Sequence, residues 1–320
     1  MTDAKPTALI LLNMGGPDSL DAVEPFLYNL FRDRDLIQLP LGALLQKPFA
    51  RIIAHFRAKK VVENYRLIGG KSPLLEWTQK QAAGIAQRLG KNVRPFVAMR
   101  YWTPSADEVL QKVKAAGIEQ ALVLSMYPHY TGATTGSSVK DFRRAAAAIH
   151  PQLDCQFIEH WYDWPGYLDA LANRIREGLA ELPAADTPRI LFSAHALPQK
   201  FIDRGDPYQD HVMATVQGVM SRVGDYPWTV AFQSRSGPVK WMEPGTEETI
   251  IKLAKDGCNA LLMVPISFVS DHIETLEEID VEYRDLALAN GIGCFRRAPS
   301  LNDHDDFLQG LAELVQQRWN

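Results

Sequence analysis

The amino-acid sequence carries one pattern twice, and this repetition constrains the fold more than any other feature. Residues 97–131 and 230–270 each read as a buried strand, a loop, a helix that starts near a proline, a glycine turn, a second buried strand and a polar loop. Another apolar strand precedes each copy, at Thr7–Asn13 and within Arg189–Pro198. Strands that alternate with helices favour parallel sheets with helical crossovers. We therefore predict an α/β fold of two similar Rossmann-like domains, each a parallel sheet flanked by helices.

The length of the chain agrees with two domains. Its 320 residues correspond to two domains of ~150 residues each. We predict that the boundary falls in the proline- and alanine-containing stretch 182–188, which gives an N-terminal domain of residues 1–182 and a C-terminal domain of residues 183–320. Because polar loops follow the strands in both copies, we expect a ligand cleft between the two domains.

Composition excludes several classes of protein. The net charge is −4 and no long basic run is present, so nucleic-acid binding is not expected. The three cysteines are far apart and odd in number, which indicates neither a disulfide framework nor a metal motif. No apolar run approaches the ~18 residues of a membrane-spanning helix, and the N-terminal residues do not resemble a signal peptide. We predict a cytoplasmic protein.

Two apolar strand runs are followed by histidines. His195 closes the run that begins at Arg189, and the run Leu261–Phe268 is followed by the acidic segment SDHIETLEEID, which contains His272. In α/β folds the carboxyl ends of strands are where functional side chains collect. Less specific interpretations exist, because a single histidine after a strand is more often structural, and acidic residues suit the start of any exposed helix.

The spacing within the acidic segment restricts its conformation. Glu274 and Glu278 are four residues apart and share one face of a helix. His272 and Glu274 are only two apart, ~200° around an α-helix, so they point together only in a loop or in a wider π-type turn. A row of carboxylates beside a histidine is suited to moving protons or to passing a hydrated cation.

Two further features indicate a large apolar ligand. Aromatic residues are frequent in the loops predicted at strand ends, which suits a flat ligand. They are Tyr65, Tyr101, Trp102, Tyr127, Tyr130, Tyr208, Trp241 and Phe268. The segment Leu39–Lys60 is apolar on one side and basic on the other, as in an ordinary surface helix or in a lip that contacts lipid or ligand.

Several segments resemble the ferrochelatase family, over essentially the whole chain. The most specific are SAHALP and SDHIETLEEID, and the others are LLNMGGPDSL, YRLIGGKSPL, YPHYTGATTGSS and RGDPYQ. The resemblance implies a class II chelatase-like fold with the active-site cleft between its domains. It also implies a lyase that inserts Fe²⁺ into protoporphyrin IX to form protohaem, with release of two protons, as the terminal step of haem biosynthesis.

The resemblance assigns roles to individual residues. It implies that His195 and Glu274 are catalytic and bind the iron, and that His272 and Glu278 are neighbouring catalytic positions on a π-helix. Whether His195 accepts protons, binds iron or does both stays open. The residues implied to bind the porphyrin are Met14, Arg100, Tyr208 and Trp241. Met14 stands where coproporphyrin-using relatives carry a tyrosine, which favours protoporphyrin as the substrate.

The sequence also departs from part of the family. Some relatives hold a [2Fe-2S] cluster with a cysteine-rich C-terminal extension and one internal cysteine. Here the chain ends at Asn320, and Gly132 occupies the internal position. We therefore expect no [2Fe-2S] cluster and no cofactor beyond the substrate Fe²⁺. We also expect a weak peripheral contact with the inner membrane face, through Leu39–Lys60.

Three alternatives to this function remain. The first is a non-catalytic carrier of porphyrin or haem with the same fold, which would need a pocket but not the acidic row of Glu274 and Glu278. The second is a coproporphyrin-specific ferrochelatase. The third is a sirohydrochlorin or cobalt chelatase, a class that usually lacks the SDHIETLEEID segment.

Overall fold

The computed structural model describes residues 5–37, 42–183 and 187–319. Within these residues the backbone divides into two compact units. One consists of the residues up to His160 together with those from Leu311 onward, and the other is Trp161–Gly310. Each unit contains a four-stranded sheet in which all neighbouring strands are parallel.

The first sheet is built around the N-terminal strand. Its strands are β1 (Thr7–Asn13), β2 (Val93–Met99), β3 (Gln120–Ser125) and β4 (Asp154–Ile158), in the spatial order β2-β1-β3-β4. β1 is buried along its whole length, as its uninterrupted apolar sequence predicts for a central parallel strand. The helices of this part of the chain are α1 (Val23–Phe31), α2 (Gly42–Leu67), α3 (Leu74–Leu89), α4 (Ala106–Ala115) and α5 (Ser137–Ile149).

The second sheet repeats this arrangement. Its strands are β5 (Arg189–His195), β6 (Trp228–Gln233), β7 (Ala260–Pro265) and β8 (Cys294–Arg297), in the order β6-β5-β7-β8. The remaining helices are α6 (Pro165–Ala180), α7 (Gln199–Ile202), α8 (Tyr208–Val223), α9 (Thr246–Lys255), α10 (Arg284–Ala289) and α11 (Asp305–Trp319). The prediction of two similar parallel sheets flanked by helices is therefore confirmed.

A π-helix follows the equivalent strand of each unit. Gly132–Gly136 comes after β3, and Glu274–Tyr283 comes after β7. Glu274 and Glu278 lie on the second of these, as expected, whereas His272 lies in the non-helical stretch just before it, so the expectation that His272 is on the π-helix is wrong and the loop that its spacing to Glu274 also allowed is what occurs. The first had no signal in the sequence beyond glycine, serine and threonine, which are typical of a loop.

Parts of two sequence predictions lie outside the described residues. They are residues 39–41 of the amphipathic segment and residues 184–186 of the predicted linker. α6, which precedes the linker, packs against α8 of the second unit. The domain boundary after residue 182 stays a prediction. In the part of the chain that the structure describes, no helix has the length and apolar character needed to cross a membrane.

Candidate active site

The site is built at the carboxyl edge of the second sheet, where β5 and β6 end side by side. His195 is the last residue of β5 and lies in register with Gln233, the last residue of β6. β7, on the other side of β5, leads to the second π-helix. Three polar segments that are far apart in sequence therefore meet at one edge, because the strands are parallel and end together.

His195 and Glu274 are in direct contact. The Nδ1 atom of His195 lies 3.1 Å from Oε2 of Glu274. The side chain of His195 is 36% exposed, whereas that of Glu274 is 16% exposed. The pair is therefore open to a ligand on its imidazole side and enclosed on its carboxylate side.

Gln233 joins the two carboxylates of the π-helix. Its Nε2 donates to Oε2 of Glu274 at 3.1 Å and to Oε2 of Glu278 at 3.3 Å. Its Oε1 accepts a hydrogen bond from Oγ of Ser193 at 2.5 Å. The carboxylates can only accept, so they turn Nε2 of Gln233 towards themselves and leave Oε1 to the Ser193 hydroxyl.

Glu278 is held by four donors. Besides Gln233, it accepts hydrogen bonds from the backbone N–H and the hydroxyl of Ser234, at 2.9 and 2.5 Å, and from the Tyr283 hydroxyl at 2.6 Å. Ser234 has a φ of 62°, a conformation unusual for a residue with a side chain. This backbone turns both donors of Ser234 onto the same carboxylate.

His272 presents an unpaired nitrogen to Glu274. Its Nδ1 lies 3.1 Å from the carbonyl oxygen of Ser270, which can only accept, so Nδ1 carries the proton. Its buried Nε2 has no hydrogen-bond partner among the described residues, and it lies 3.9 Å from Oε1 of Glu274. A neutral imidazole nitrogen and a carboxylate oxygen thus face each other beyond hydrogen-bond distance.

Burial and charge set the protonation of these four residues. Burial lowers the pKa of His195, but the charge and hydrogen bond of Glu274 outweigh it and raise that pKa above 6.5. Burial would raise the pKa of Glu274, but His195 holds it below 4.5. Burial and the charge of Glu274 raise the pKa of Glu278 above 4.5, and burial lowers the pKa of His272 below 6.5. The site favours a charged His195–Glu274 pair beside a neutral His272.

Tyr208 holds the backbone of His195 through hydrogen bonds. The His195 backbone N–H donates to Oγ of Ser267 at 2.8 Å. The Tyr208 hydroxyl lies 2.6 Å from the same Oγ, and this hydroxyl also donates to the His195 carbonyl at 2.9 Å. These bonds close a ring that fixes the backbone at the end of β5. Tyr208 is buried, so its hydroxyl has a structural task, and its predicted contact with porphyrin stays a prediction.

Trp241 is partly exposed beside the segment that follows β5. Its backbone pairs with that of Pro198. Its indole Nε1 is buried and, among the described residues, has no hydrogen-bond partner. Since this nitrogen is buried, the exposed part of the indole is the part available to a ligand.

Met14 and Arg100 lie in the first unit. Met14 directly follows β1 and is partly buried. The Arg100 guanidinium donates to Oγ of Ser137 at 2.8 Å and to Oδ2 of Asp33 at 3.0 Å. Its predicted role in porphyrin binding stays a prediction, and a porphyrin carboxylate would have to share these donors with Asp33.

The aromatic residues of the strand-end loops fall into two groups. Four are buried and belong to the core, namely Tyr65, Tyr101, Tyr127 and Tyr208. Four are partly exposed, namely Trp102, Tyr130, Trp241 and Phe268. Only the second group keeps surface for a ligand, so composition alone overestimated the aromatic surface.

Sequence reasoning missed the neutral residues of the site. Gln233, Ser234, Ser267 and Tyr283 were not among the candidates. The signal for Gln233 and Ser234 was their place at the carboxyl end of β6, the strand that opens the second repeat. Among the described residues, no group of three or more histidine, cysteine or acidic side chains is arranged to hold a metal ion.

Comparisons with known proteins agree with these features. The model of the ferrochelatase family matches residues 6–319. The ferrochelatase of Geotalea uraniireducens is 52% identical over 309 residues, which is 97% of each chain. The ferrochelatase of Geotalea daltonii is 50% identical over 98% of each chain. Among solved structures, SirB from Bacillus subtilis with Fe³⁺ aligns with a TM-score of 0.57 at 12% identity, covering 98% of this chain and 95% of SirB, which shows a shared fold.

Proposed function

The chain belongs to the ferrochelatase family, and from that membership we propose how its residues insert ferrous iron into a porphyrin. The protein is a lyase of haem biosynthesis, with Fe²⁺ and a porphyrin as its substrates. For each iron that binds, two protons leave the pyrrole nitrogens of protoporphyrin IX. The site must therefore accept protons and deliver a cation at the same place.

His195 is the proton acceptor. The observation that carries this role is the 3.1 Å contact between its Nδ1 and Glu274. With Nδ1 turned to the carboxylate, Nε2 is left for the pyrrole N–H groups. The carboxylate stabilises the imidazolium that forms, which makes neutral His195 a stronger base than a free histidine.

His195 and Glu274 also receive the iron. One imidazole and one carboxylate suit Fe²⁺ and bind it weakly enough for release, unlike a set of thiolates. The nearby Nε2 of His272, 3.9 Å from Oε1 of Glu274, is neutral, so it adds no positive charge that would repel the cation. Iron competes with the proton for the same groups, so its arrival favours proton release.

Glu278 takes the second proton. Its pKa is raised by burial and by the charge of Glu274, so it is the better proton acceptor of the two carboxylates. The donors of Ser234 and Tyr283 hold its carboxylate in place before the proton arrives. The acidic row thus separates two tasks, cation binding at Glu274 and proton storage at Glu278.

The porphyrin is held by residues outside this row. Trp241 is the best supported of the predicted contacts, because its side chain is partly exposed beside the segment that follows the His195 strand. Met14, Arg100 and Tyr208 complete the predicted set. A rigid pocket that binds the ring bent would expose its N–H groups and stabilise the transition state more than the flat substrate.

One assay tests the function. The protein is mixed anaerobically with Fe²⁺ and protoporphyrin IX, and the loss of porphyrin fluorescence is followed over time. We expect multiple turnovers, and slower turnover with coproporphyrin because of Met14. Binding of porphyrin without metallation would favour the carrier, and faster turnover of coproporphyrin would favour the coproporphyrin-specific enzyme.

α2 is proposed to contact the membrane surface of the cytoplasmic side. It carries exposed apolar side chains on one face, at Leu45, Ile52 and Phe56, with exposed Lys47 and Arg51 nearby. A helix of this kind binds anionic lipid weakly.

Co-sedimentation with vesicles tests the contact. At low salt, we expect the protein to bind anionic vesicles more than neutral ones, and Phe56→Ser to reduce that binding. Leu288→Ser removes another exposed apolar side chain, on α10, and is the control. Equal binding to both kinds of vesicle would exclude the contact.

The absence of a [2Fe-2S] cluster is also part of the proposal. Cluster ligands are thiolates, but burial raises the pKa of Cys155 to about 11. Cys258 is buried and its thiol donates to a backbone carbonyl. Stoichiometric iron and acid-labile sulfide in anaerobically purified protein would contradict this.

A further inference from the structure

The guanidinium of one arginine, Arg297, contacts both ends of the segment that carries the catalytic carboxylates. Arg297 is the last residue of β8, and its side chain is 13% exposed. Its Nε and Nη2 donate to the two carboxylate oxygens of Asp280, at 2.8 and 2.9 Å. Its Nη1 lies 3.1 Å from Oδ1 of Asp271. Asp271 precedes Glu274, and Asp280 follows Glu278.

The loop after β8 strengthens the hold on Asp271. The Ser300 hydroxyl donates to Oδ1 of Asp271 at 2.7 Å, and the Asn302 amide donates to Oδ2 at 2.8 Å. The backbone N–H of Asp271 donates back to Oδ1 of Asn302 at 2.8 Å. The start of the segment is therefore fixed at several atoms, and Arg297 links these contacts to Asp280.

The arrangement of the two aspartates depends on the winding of the chain. They are nine residues apart, about two and a half turns of an α-helix, which would put them on opposite sides. Here the chain enters through the non-helical Asp271 and then winds as a π-helix, so both carboxylates reach the same guanidinium. The Arg297 contacts fit the winding seen here, and an α-helix over all of residues 271–280 would not allow both of them.

A π-helix of ten residues needs such external support. π-helices are rare and mostly limited to single turns within α-helices. In this one, the winding sets Glu274 against His195 and Glu278 against Ser234. We propose that Arg297 is a positioning residue for iron insertion, which holds residues 271–280 in the π-helical winding that places Glu274 and Glu278. This inference rests on the proposed function of that site.

The experiment compares Arg297→Gln and Arg297→Lys with a neighbouring control. Arg296→Gln removes the adjacent arginine, which is 47% exposed and pairs with Glu181 on the surface. At saturating Fe²⁺ and porphyrin, we expect kcat to fall by about 10- to 100-fold in Arg297→Gln, while porphyrin Kd, measured by fluorescence quenching, stays within about twofold. Arg297→Lys should be intermediate, because lysine keeps the charge but lacks the fork that binds Asp280 at two atoms. Arg296→Gln should behave as the wild type.

A double variant tests the connection through Asp280. Asp280→Asn should also lower kcat, and combining it with Arg297→Gln should lower kcat no further, because both changes break the same contact. Additive losses would overturn the inference. So would a normal kcat in Arg297→Gln, or a kcat that falls only together with porphyrin binding. If Arg297→Gln does not fold, the same criteria apply to Arg297→Lys and Asp280→Asn.

Hydrogen exchange gives a readout that does not depend on activity. Exchange in peptides covering 271–283 should be faster in Arg297→Gln than in Arg296→Gln, and unchanged exchange would overturn the inference. If the wild type fails to metallate porphyrin, the proposed function fails, and exchange still decides the role of Arg297. If His195→Ala and Glu274→Gln lose turnover but Arg297→Gln does not, only the positioning role fails.

Discussion

The two units have the same strand order, but their central strands end in different chemistry. β1 ends at Asn13 and β5 ends at His195. Asn13 is 4% exposed, and its side chain is used within its own unit, because the amide donates to Thr78 Oγ1 at 3.0 Å and accepts from the Met14 N–H at 2.8 Å. His195 is partly exposed and meets a carboxylate. The same position is hydrogen-bonded within its own unit in one case, and in the other it holds a partly exposed imidazole that we propose to be reactive.

The two π-helices also differ in the chemistry of their side chains. The first contains buried Thr135, whose hydroxyl lies 2.9 Å from that of Ser125 at the end of β3. The second carries Glu274 and Glu278, and Glu274 lies beside the imidazoles of His195 and His272. At the carboxyl edge of the first sheet, two hydroxyl groups contact each other. At the corresponding edge of the second sheet, the carboxylates supply negative charge, which suits a cation. Function thus follows residue type at a shared position.

The loss of His195 should have the largest effect. We expect His195→Ala to lower turnover by about 10²- to 10⁴-fold, the usual contribution of a positioned proton acceptor. Its side chain is partly exposed, so the melting temperature should change little. Initial rates and thermal unfolding measure both. Turnover within about tenfold of the wild type, with an unchanged fold, would show that the base lies elsewhere.

Glu274→Gln comes next. The amide keeps the size of the side chain but accepts no proton at neutral pH and binds Fe²⁺ poorly. Turnover should fall by about 10²-fold, while porphyrin affinity, measured by fluorescence quenching, survives because the ring is held by other residues. The assignment is wrong if affinity is lost but turnover at saturating porphyrin is normal.

Asn13→Ala is the matched change in the first unit and should have the smallest effect on activity. It removes a buried hydrogen-bonded amide, so stability should fall by about 1–3 kcal/mol. We expect kcat to stay within about twofold. Denaturant unfolding and steady-state rates distinguish the two outcomes, and a loss of kcat comparable to that of His195→Ala would show that both strand ends take part in the chemistry.

The sequence predicted the fold better than the contacts of the site. Continuous apolar runs located β1 and β5, and the 2-residue spacing of His272 and Glu274 indicated a loop or a wide turn, because these are local properties. The contact between His195 and Glu274 joins residues 79 positions apart and followed only from the family resemblance. Gln233 was missed because a neutral amide at a strand end has no distinctive pattern, although it joins both carboxylates.

The pH dependence of metallation tests the His195–Glu274 pair most directly. His195 must lose its proton before it can act as a base, and the charge of Glu274 raises its pKa, so the wild-type rate should rise with pH through a midpoint above 6.5. Removing that charge in Glu274→Gln lowers the pKa of His195, so the midpoint should move to lower pH. The measurement is the single-turnover rate of metallation of bound porphyrin at saturating Fe²⁺, across the range in which imidazole titrates. A lower midpoint in the slower Glu274→Gln variant is the predicted result, and a midpoint that stays in place or moves to higher pH would contradict the account.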